Sequence, residues 1–254
     1  MAAPWREPLR DLGAASALLR ASWRAFLVPL LAATLVLALD QAMQGTHASV
    51  FVTPAALAAL AYAQACSFRA FAAELDAPIG APMRGFWYLL WGAFCTALPV
   101  LIAAIPSFAV WFAVSKSFPE AWERAIALQV IFAPMSLLVV LQGWAYSYVA
   151  VDGADAPAAT GGLLQALRQP RNLKHLVFLG ALMSIVGTLI AAPFQWFVLP
   201  HHSTPLTRFL AAIIETVPDA FWWALLFVTR PVVSRLSAVV PVPAPSLALD
   251  AEGV

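Results

Sequence analysis

The chain has 254 residues, of which 62% are hydrophobic and only 11% charged, with a formal net charge of +1. That balance excludes a nucleic-acid binder, which needs a basic face to neutralise phosphates. It also excludes an ordinary soluble domain, because so few charged groups cannot cover the surface of one.

Five stretches contain no Asp, Glu, Lys or Arg: 25–39, 49–68, 85–115, 125–151 and 175–207. A sixth, between Arg208 and Arg230, contains only Glu215 and Asp219. About 20 apolar residues reach across a hydrocarbon core of ~30 Å at ~1.5 Å per residue. The expected fold is therefore all-α, a polytopic membrane bundle of six transmembrane helices arranged as three hairpins. The bundle would occupy residues 1–235, followed by a loose cytoplasmic tail over 236–254 that holds Pro241, Pro243 and Pro245.

Residues 5–24 predict an amphipathic helix on the membrane surface ahead of the first span. At about 100° per residue, Trp5, Leu12, Leu19 and Trp23 fall on one face, opposite Arg6, Arg10, Arg20 and Arg24. Such a face enters the acyl boundary while arginines meet anionic headgroups; the alternative is packing against the protein's own spans. This segment is too long and too charged for a secretory signal, so the first span is expected to be an uncleaved anchor.

The hairpins are expected at roughly 25–43 with 49–68, 86–115 with 125–151, and 175–200 with 207–229. The linkers between hairpins share a texture: Asp76-Ala77-Pro78 with Gly80, Pro82 and Arg84 in the first, and Asp155-Ala156-Pro157 with Gly161, Gly162 and Arg168 in the second. Pro and Gly there stop an incoming helix and start a short surface segment. A hairpin repeat and the chance matches of an Ala- and Pro-rich chain both account for this echo.

Sorting the 14 basic residues by connection gives the orientation. Arg6, Arg10, Arg20, Arg24, Arg69, Arg84, Arg168, Arg171, Lys174, Arg230 and Arg235 fall on one side, and Lys116, Arg124 and Arg208 on the other. The side rich in Lys and Arg stays cytoplasmic, which places both termini inside a bacterial inner membrane. Trp23, Trp87 and Trp144 then mark the inner interface, and Trp111, Trp122 and Trp196 the outer one.

Small residues should let the spans approach closely: Ala55, Ala59 and Ala63 in the second, and Gly180, Ser184 and Gly187 in the fifth. Every span carries a proline, namely Pro29, Pro54, Pro99 with Pro106, Pro134, Pro193 and Pro218. These fit either hinges around a cavity or the ordinary usage of a proline-rich genome.

Glu215 and Asp219 are the candidate substrate- or proton-binding residues. Four apart, they share a face of the sixth span, and Asp219 falls near mid-depth between Arg208 and Arg230. A carboxylate at the centre costs about 2.5–3.5 kcal/mol on insertion scales, so it faces a cavity, a partner or, if Pro218 breaks the helix, the outer interface. Asp40 reads as the solvated outer end of the first span, and His175 as an inner-interface residue. Cys66 and Cys95, each within an apolar run, read as small core residues. No catalytic, metal or haem signature occurs, so no catalytic residue, metal or cofactor is expected and the chain is expected not to be an enzyme.

The linker Leu163-Leu164-Gln165-Ala166-Leu167-Arg168 with Asn172, entering a span at Leu176, resembles that of a loose group of uncharacterised proteobacterial six-span membrane proteins. The resemblance implies topology and carries over no functional residue. The leading expectation is a protein that transports or accommodates a small molecule or lipid within the bilayer. The rivals are a structural or assembly subunit, with a membrane-protein partner or a second copy against it, and the permease subunit of an ATP-driven exporter.

Overall fold

The computed structural model describes residues 6–43, 46–77, 79, 85–118, 120–186, 189 and 204–233. Among them there is helix and no strand. The helices are α1 (Arg6–Met43), α2 (Ser49–Glu74), α3 (Phe86–Val114), α4 (Ala121–Phe132), α5 (Met135–Asp152), α6 (Ala156–Ala166), α7 (Pro170–Val186) and α8 (Pro205–Thr229). Four helical segments are long and apolar enough to cross a membrane: Arg10–Met43, Ser49–Glu74, Phe86–Ser117 and Ala212–Thr229. The bent pair α4–α5 makes a fifth if it crosses as one unit. The expected fifth span begins in α7, but most of its second half lies outside the described residues, as do Trp5, Trp196, Pro193, Gly187 and the tail 236–254.

α5 is the central helix. From Val140 to Val151 every residue but Gln142 is buried, as expected of a helix that is apolar all round and enclosed by others. It packs against α3, α6, α7, α2 and α8, while α1 packs against α2 and α8. The two helices of the expected third hairpin therefore go different ways, α7 chiefly to α5 and α8 chiefly to α1 and α2. An aromatic cluster joins these layers: the Phe26 and Phe71 rings meet edge-on at 5.5 Å, Phe68 and Phe227 stack at 6.1 Å, and Phe68 meets Tyr146 at 6.4 Å. Such ring pairs add to the burial of their area.

The segment 6–24 is not a separate helix. α1 runs unbroken for 38 residues, about 57 Å at ~1.5 Å per residue. Its buried stripe is Ala15, Leu18, Ser22 and Phe26, with Leu12 and Leu19 partly buried against the same core. Trp23 is exposed, with the Arg24 guanidinium 5.7 Å from its ring centre.

Most prolines leave their helices continuous: Pro29, Pro54, Pro99, Pro106 and Pro218 all lie inside helices. Pro134 is different. The expected fourth span divides there into α4 and α5, bent by 56°. Proline removes a backbone donor and clashes with the preceding turn. At this break the Leu137 amide turns to the Pro134 carbonyl at 3.3 Å, and the Ala133 carbonyl accepts from the Ser136 amide at 3.2 Å, the Ser136 hydroxyl at 2.6 Å and the Ser184 hydroxyl at 3.5 Å, so a tighter turn and polar side chains replace its helical partner.

Small residues do set the close approaches, in a register partly different from the expected one. Gly180 is buried against α5, where an added Cβ would stand 2.5 Å from Leu137 Cδ2. In α2 the buried small residues are Ala56, Ala63, Ala65, Ser67 and Ala72, whereas Ala55 is exposed. Trp144 is fully buried and donates from Nε1 to Thr229 Oγ1 at 3.3 Å, so it belongs to the core and not to an interfacial belt.

Candidate functional site

The sequence-predicted centre lies in α8. That helix starts at Thr204, whose hydroxyl accepts from the Thr207 amide at 3.3 Å, and continues through Pro218. It is fixed to α1 by a buried hydroxyl pair, Thr34 Oγ1 to Thr216 Oγ1 at 2.9 Å, with Ala212 and Ala220 buried on the same stripe. Asp219 is half-buried one turn further along. Glu215 belongs to α8, but its side chain lies outside the described residues, so the expected carboxylate pair is placed at one member only. Thr216→Val removes an interhelical hydrogen bond and is expected to lower stability by about 0.6–2 kcal/mol, read from unfolding in mixed detergent–SDS micelles.

Asp40 departs from its expected role. It is 6% exposed and accepts from Thr53 Oγ1 at 2.6 Å, so it ties α1 to α2 instead of facing solvent. A buried carboxylate needs such a donor. His175 is half-buried, with Nε2 3.1 Å from Asp11 Oδ2, and so links the start of α7 to α1. Cys66 and Cys95 are half-buried free thiols. Among the described residues no three His, Cys, Asp or Glu side chains gather as metal ligands would.

The densest polar structure was not foreseen. It gathers where α2, α3, α5 and α8 meet at one end of the bundle. α5 ends at Gly153, whose φ of 69° is the left-handed conformation that only glycine adopts cheaply. The Ala154 amide then bonds back to the Tyr148 carbonyl at 3.2 Å. The Tyr88 hydroxyl of α3 reaches the carbonyls of Gly153 at 3.0 Å and Ala154 at 2.9 Å, which fixes the turn. Arg69 of α2 donates from Nη1 to the Ala150 carbonyl at 3.1 Å.

An ion pair lies at the heart of this cluster. Arg230 Nη1 is 3.4 Å from Asp152 Oδ2, with only 11% of the arginine side chain and 1% of the aspartate side chain exposed. The guanidinium also lies 4.5 Å from the Phe227 ring centre and 5.1 Å from that of Tyr148. Desolvated cation–π contacts of this kind add about 2 kcal/mol. The Tyr148 hydroxyl donates to the Pro231 carbonyl, so the chain leaving α8 is held as well. Among the described residues Asp152 Oδ1 is buried without a hydrogen-bond partner. The pair is a structural lock between the ends of α5 and α8. In the sequence, Asp152 reads as the first charge of a linker and Arg230 as one more basic flank; nothing local joins residues 78 positions apart.

Beside this lock is a groove of about 280 Å³ lined by Tyr88, Trp91, Gly92, Val149, Asp155, Ala156 and Pro157. Each wall has a local origin. Gly92 lets α3 approach α5 so closely that an added Cβ would stand 2.5 Å from Val149 Cγ1. Asp155 and Pro157 start α6, with Asp155 at the N-cap position but making no capping hydrogen bond from its side chain. Trp91 is 64% exposed and stacks on Phe94 at 5.6 Å. Among the described residues of its lining, the groove thus offers two aromatic rings and one carboxylate, and no Lys or Arg. By sequence Asp155 and Pro157 read only as part of a linker that stops one helix and starts a surface segment, and Trp91 does not stand out. No family model, curated protein or solved structure matches this chain.

Proposed function

We propose that the chain is a multi-pass protein of a bacterial inner membrane that accommodates a lipid or small molecule within the bilayer without transforming it chemically. The observation that carries this reading is the groove between α3, α5 and the start of α6, where aromatic and apolar walls meet a carboxylate. Exposed Phe86 and Trp87 stand at the same end of α3, as interfacial aromatics do. In this reading six spans cross the membrane, both termini are cytoplasmic, and the groove opens at the inner interface. Trp23 of the N-terminal half of α1 stands at that interface too. Glu215 and Asp219 are the polar centre at mid-depth.

The first test is retention of lipid. The full chain, purified in a mild detergent, is expected to carry lipid that native mass spectrometry detects; a protein that is lipid-free after gentle purification argues against the reading. The second is function of the centre: proton flux or ligand uptake in proteoliposomes is expected to fall at least about tenfold in Glu215→Gln and Asp219→Asn, as loss of a buried charged partner implies. Flux that is unaffected removes the carboxylates from the mechanism. Cysteine labelling of positions 80 and 162 from the same side of the membrane checks the orientation.

A second reading, an assembly subunit, draws on α3. Only 6% of its apolar window is buried inside the chain. Leu98, Leu101, Ile102, Ile105, Phe108 and Phe112 stand exposed, a surface that suits either lipid or a partner helix. A stoichiometric protein that co-purifies in mild detergent favours the partner, and a lone species favours lipid.

A further inference from the structure

We propose that the groove beside Gly92 selects lipids whose headgroup carries an ammonium, with Asp155 as the counter-charge and the rings of Trp91 and Tyr88 as the cation-binding faces. The inference rests on the reading of the groove as a lipid site and adds the class of headgroup. Its volume of about 280 Å³ lies just under the range of drug-sized pockets, about 300–1,000 Å³. It is the size of a headgroup and not of a whole lipid, whose tails would lie along the exposed apolar side of α3.

The lining fixes the sign of charge. Among the described residues that line the groove, Asp155 is the one that carries a charge. An aspartate at an N-cap usually accepts from the first amides of its helix. The Asp155 side chain makes no such bond, which leaves its carboxylate available to a ligand. An anionic headgroup would meet like charge here; an ammonium meets a carboxylate and two aromatic rings, to which a cation is attracted. Tyr88 is preset for this role, because its hydroxyl is held by the Gly153 and Ala154 carbonyls. Trp91 is braced by Phe94.

The occupant is a membrane lipid and not a free amine on grounds of place. On α3 the groove begins at Tyr88, directly after exposed Phe86 and Trp87, and aromatic residues of this kind sit at headgroup level.

The experiment compares phosphatidylethanolamine with phosphatidylglycerol. The full chain is equilibrated with mixed micelles holding equal amounts of the two, and the retained lipid is counted by native mass spectrometry. Phosphatidylethanolamine is expected to exceed phosphatidylglycerol by about tenfold, the combined scale of a cation–π contact and an ion pair at exposed positions. Asp155→Asn and Trp91→Leu, both at exposed positions, are each expected to lower that ratio to about threefold or less. Gel filtration of each variant confirms that it remains folded. Equal retention of the two lipids by the unaltered chain, or a preference that survives both substitutions, overturns the ammonium assignment while leaving lipid accommodation intact. Retention of neither lipid overturns both.

Discussion

Arg230→Met is expected to be among the most damaging single substitutions in the bundle, at about 3–5 kcal/mol, because it strands a buried carboxylate. Asp152 has a side chain only 1% exposed, and one of its oxygens already lacks a hydrogen-bond partner. Without the guanidinium the other oxygen loses its ion pair. Phe227 and Tyr148 lose their cation as well, and the segment at Pro231 loses part of its anchor. The cost therefore comes from what is left behind more than from what the pair contributes. That distinction can be measured. Asp152→Leu together with Arg230→Met should recover most of the loss, since replacing a buried pair by apolar residues of similar volume is often neutral or stabilising. Unfolding in mixed detergent–SDS micelles reads the four proteins of the cycle. A single Arg230→Met variant as stable as the unaltered chain would mean that Asp152 is not confined as the structure places it.

The lock also shows which parts of the molecule were legible from residues alone. Long apolar runs without charge point to helices because the bilayer allows few other ways to satisfy the backbone, and among the described residues four helices are long and apolar enough to cross a membrane, or five if the bent pair crosses as one unit. Which proline breaks its helix was not legible. Six runs carry one, and the outcome depends on what the carbonyls beside each proline can turn to. Ala133 has hydroxyls from Ser136 and Ser184 to turn to, and Ser184 is 51 residues away in α7. Asp40 was misread because it ends an apolar run. Its partner Thr53 lies across the short connection, 13 residues on, where two antiparallel helices return to the same depth. Leu12 and Leu19 were placed correctly on one face, but periodicity does not say whether that face meets lipid or protein, and here they lean on the core.

The candidate site was less legible than the fold. Glu215 and Asp219 attract notice because charge is rare in apolar runs. The polar residues that converge beside the groove, Arg69, Tyr88, Tyr148, Asp152 and Arg230, sit at or near helix ends where charge and aromatic residues are ordinary. Only their convergence distinguishes them, and it comes from four helices ending at one place. The groove is still further from view, since its decisive residue is a glycine that acts by having no side chain.

That glycine supplies the second large effect. Gly92→Ala is expected to destabilise the bundle by about 1–3 kcal/mol, the range for overpacking a close-packed interior. The new Cβ would stand 2.5 Å from Val149 Cγ1 and 3.6 Å from its Cβ. Val149 is buried and β-branched, with a stiff χ1 that gives it little room to withdraw. Gly143→Ala is a control of similar geometry and different compliance. Its Cβ would meet Leu226 Cδ1 at 2.6 Å, but that atom is the end of a longer side chain with a second rotatable bond, so the cost should be smaller. Val149→Ala in the Gly92→Ala background should restore stability by removing the obstructing methyl groups, while Val149→Ala alone opens a cavity and costs stability by itself. Opposite signs for the same Val149 substitution in the two backgrounds are the signature of direct contact between α3 and α5. If the two substitutions instead add, α3 has room to move away from α5, and the groove is set by something other than the closeness of these two helices.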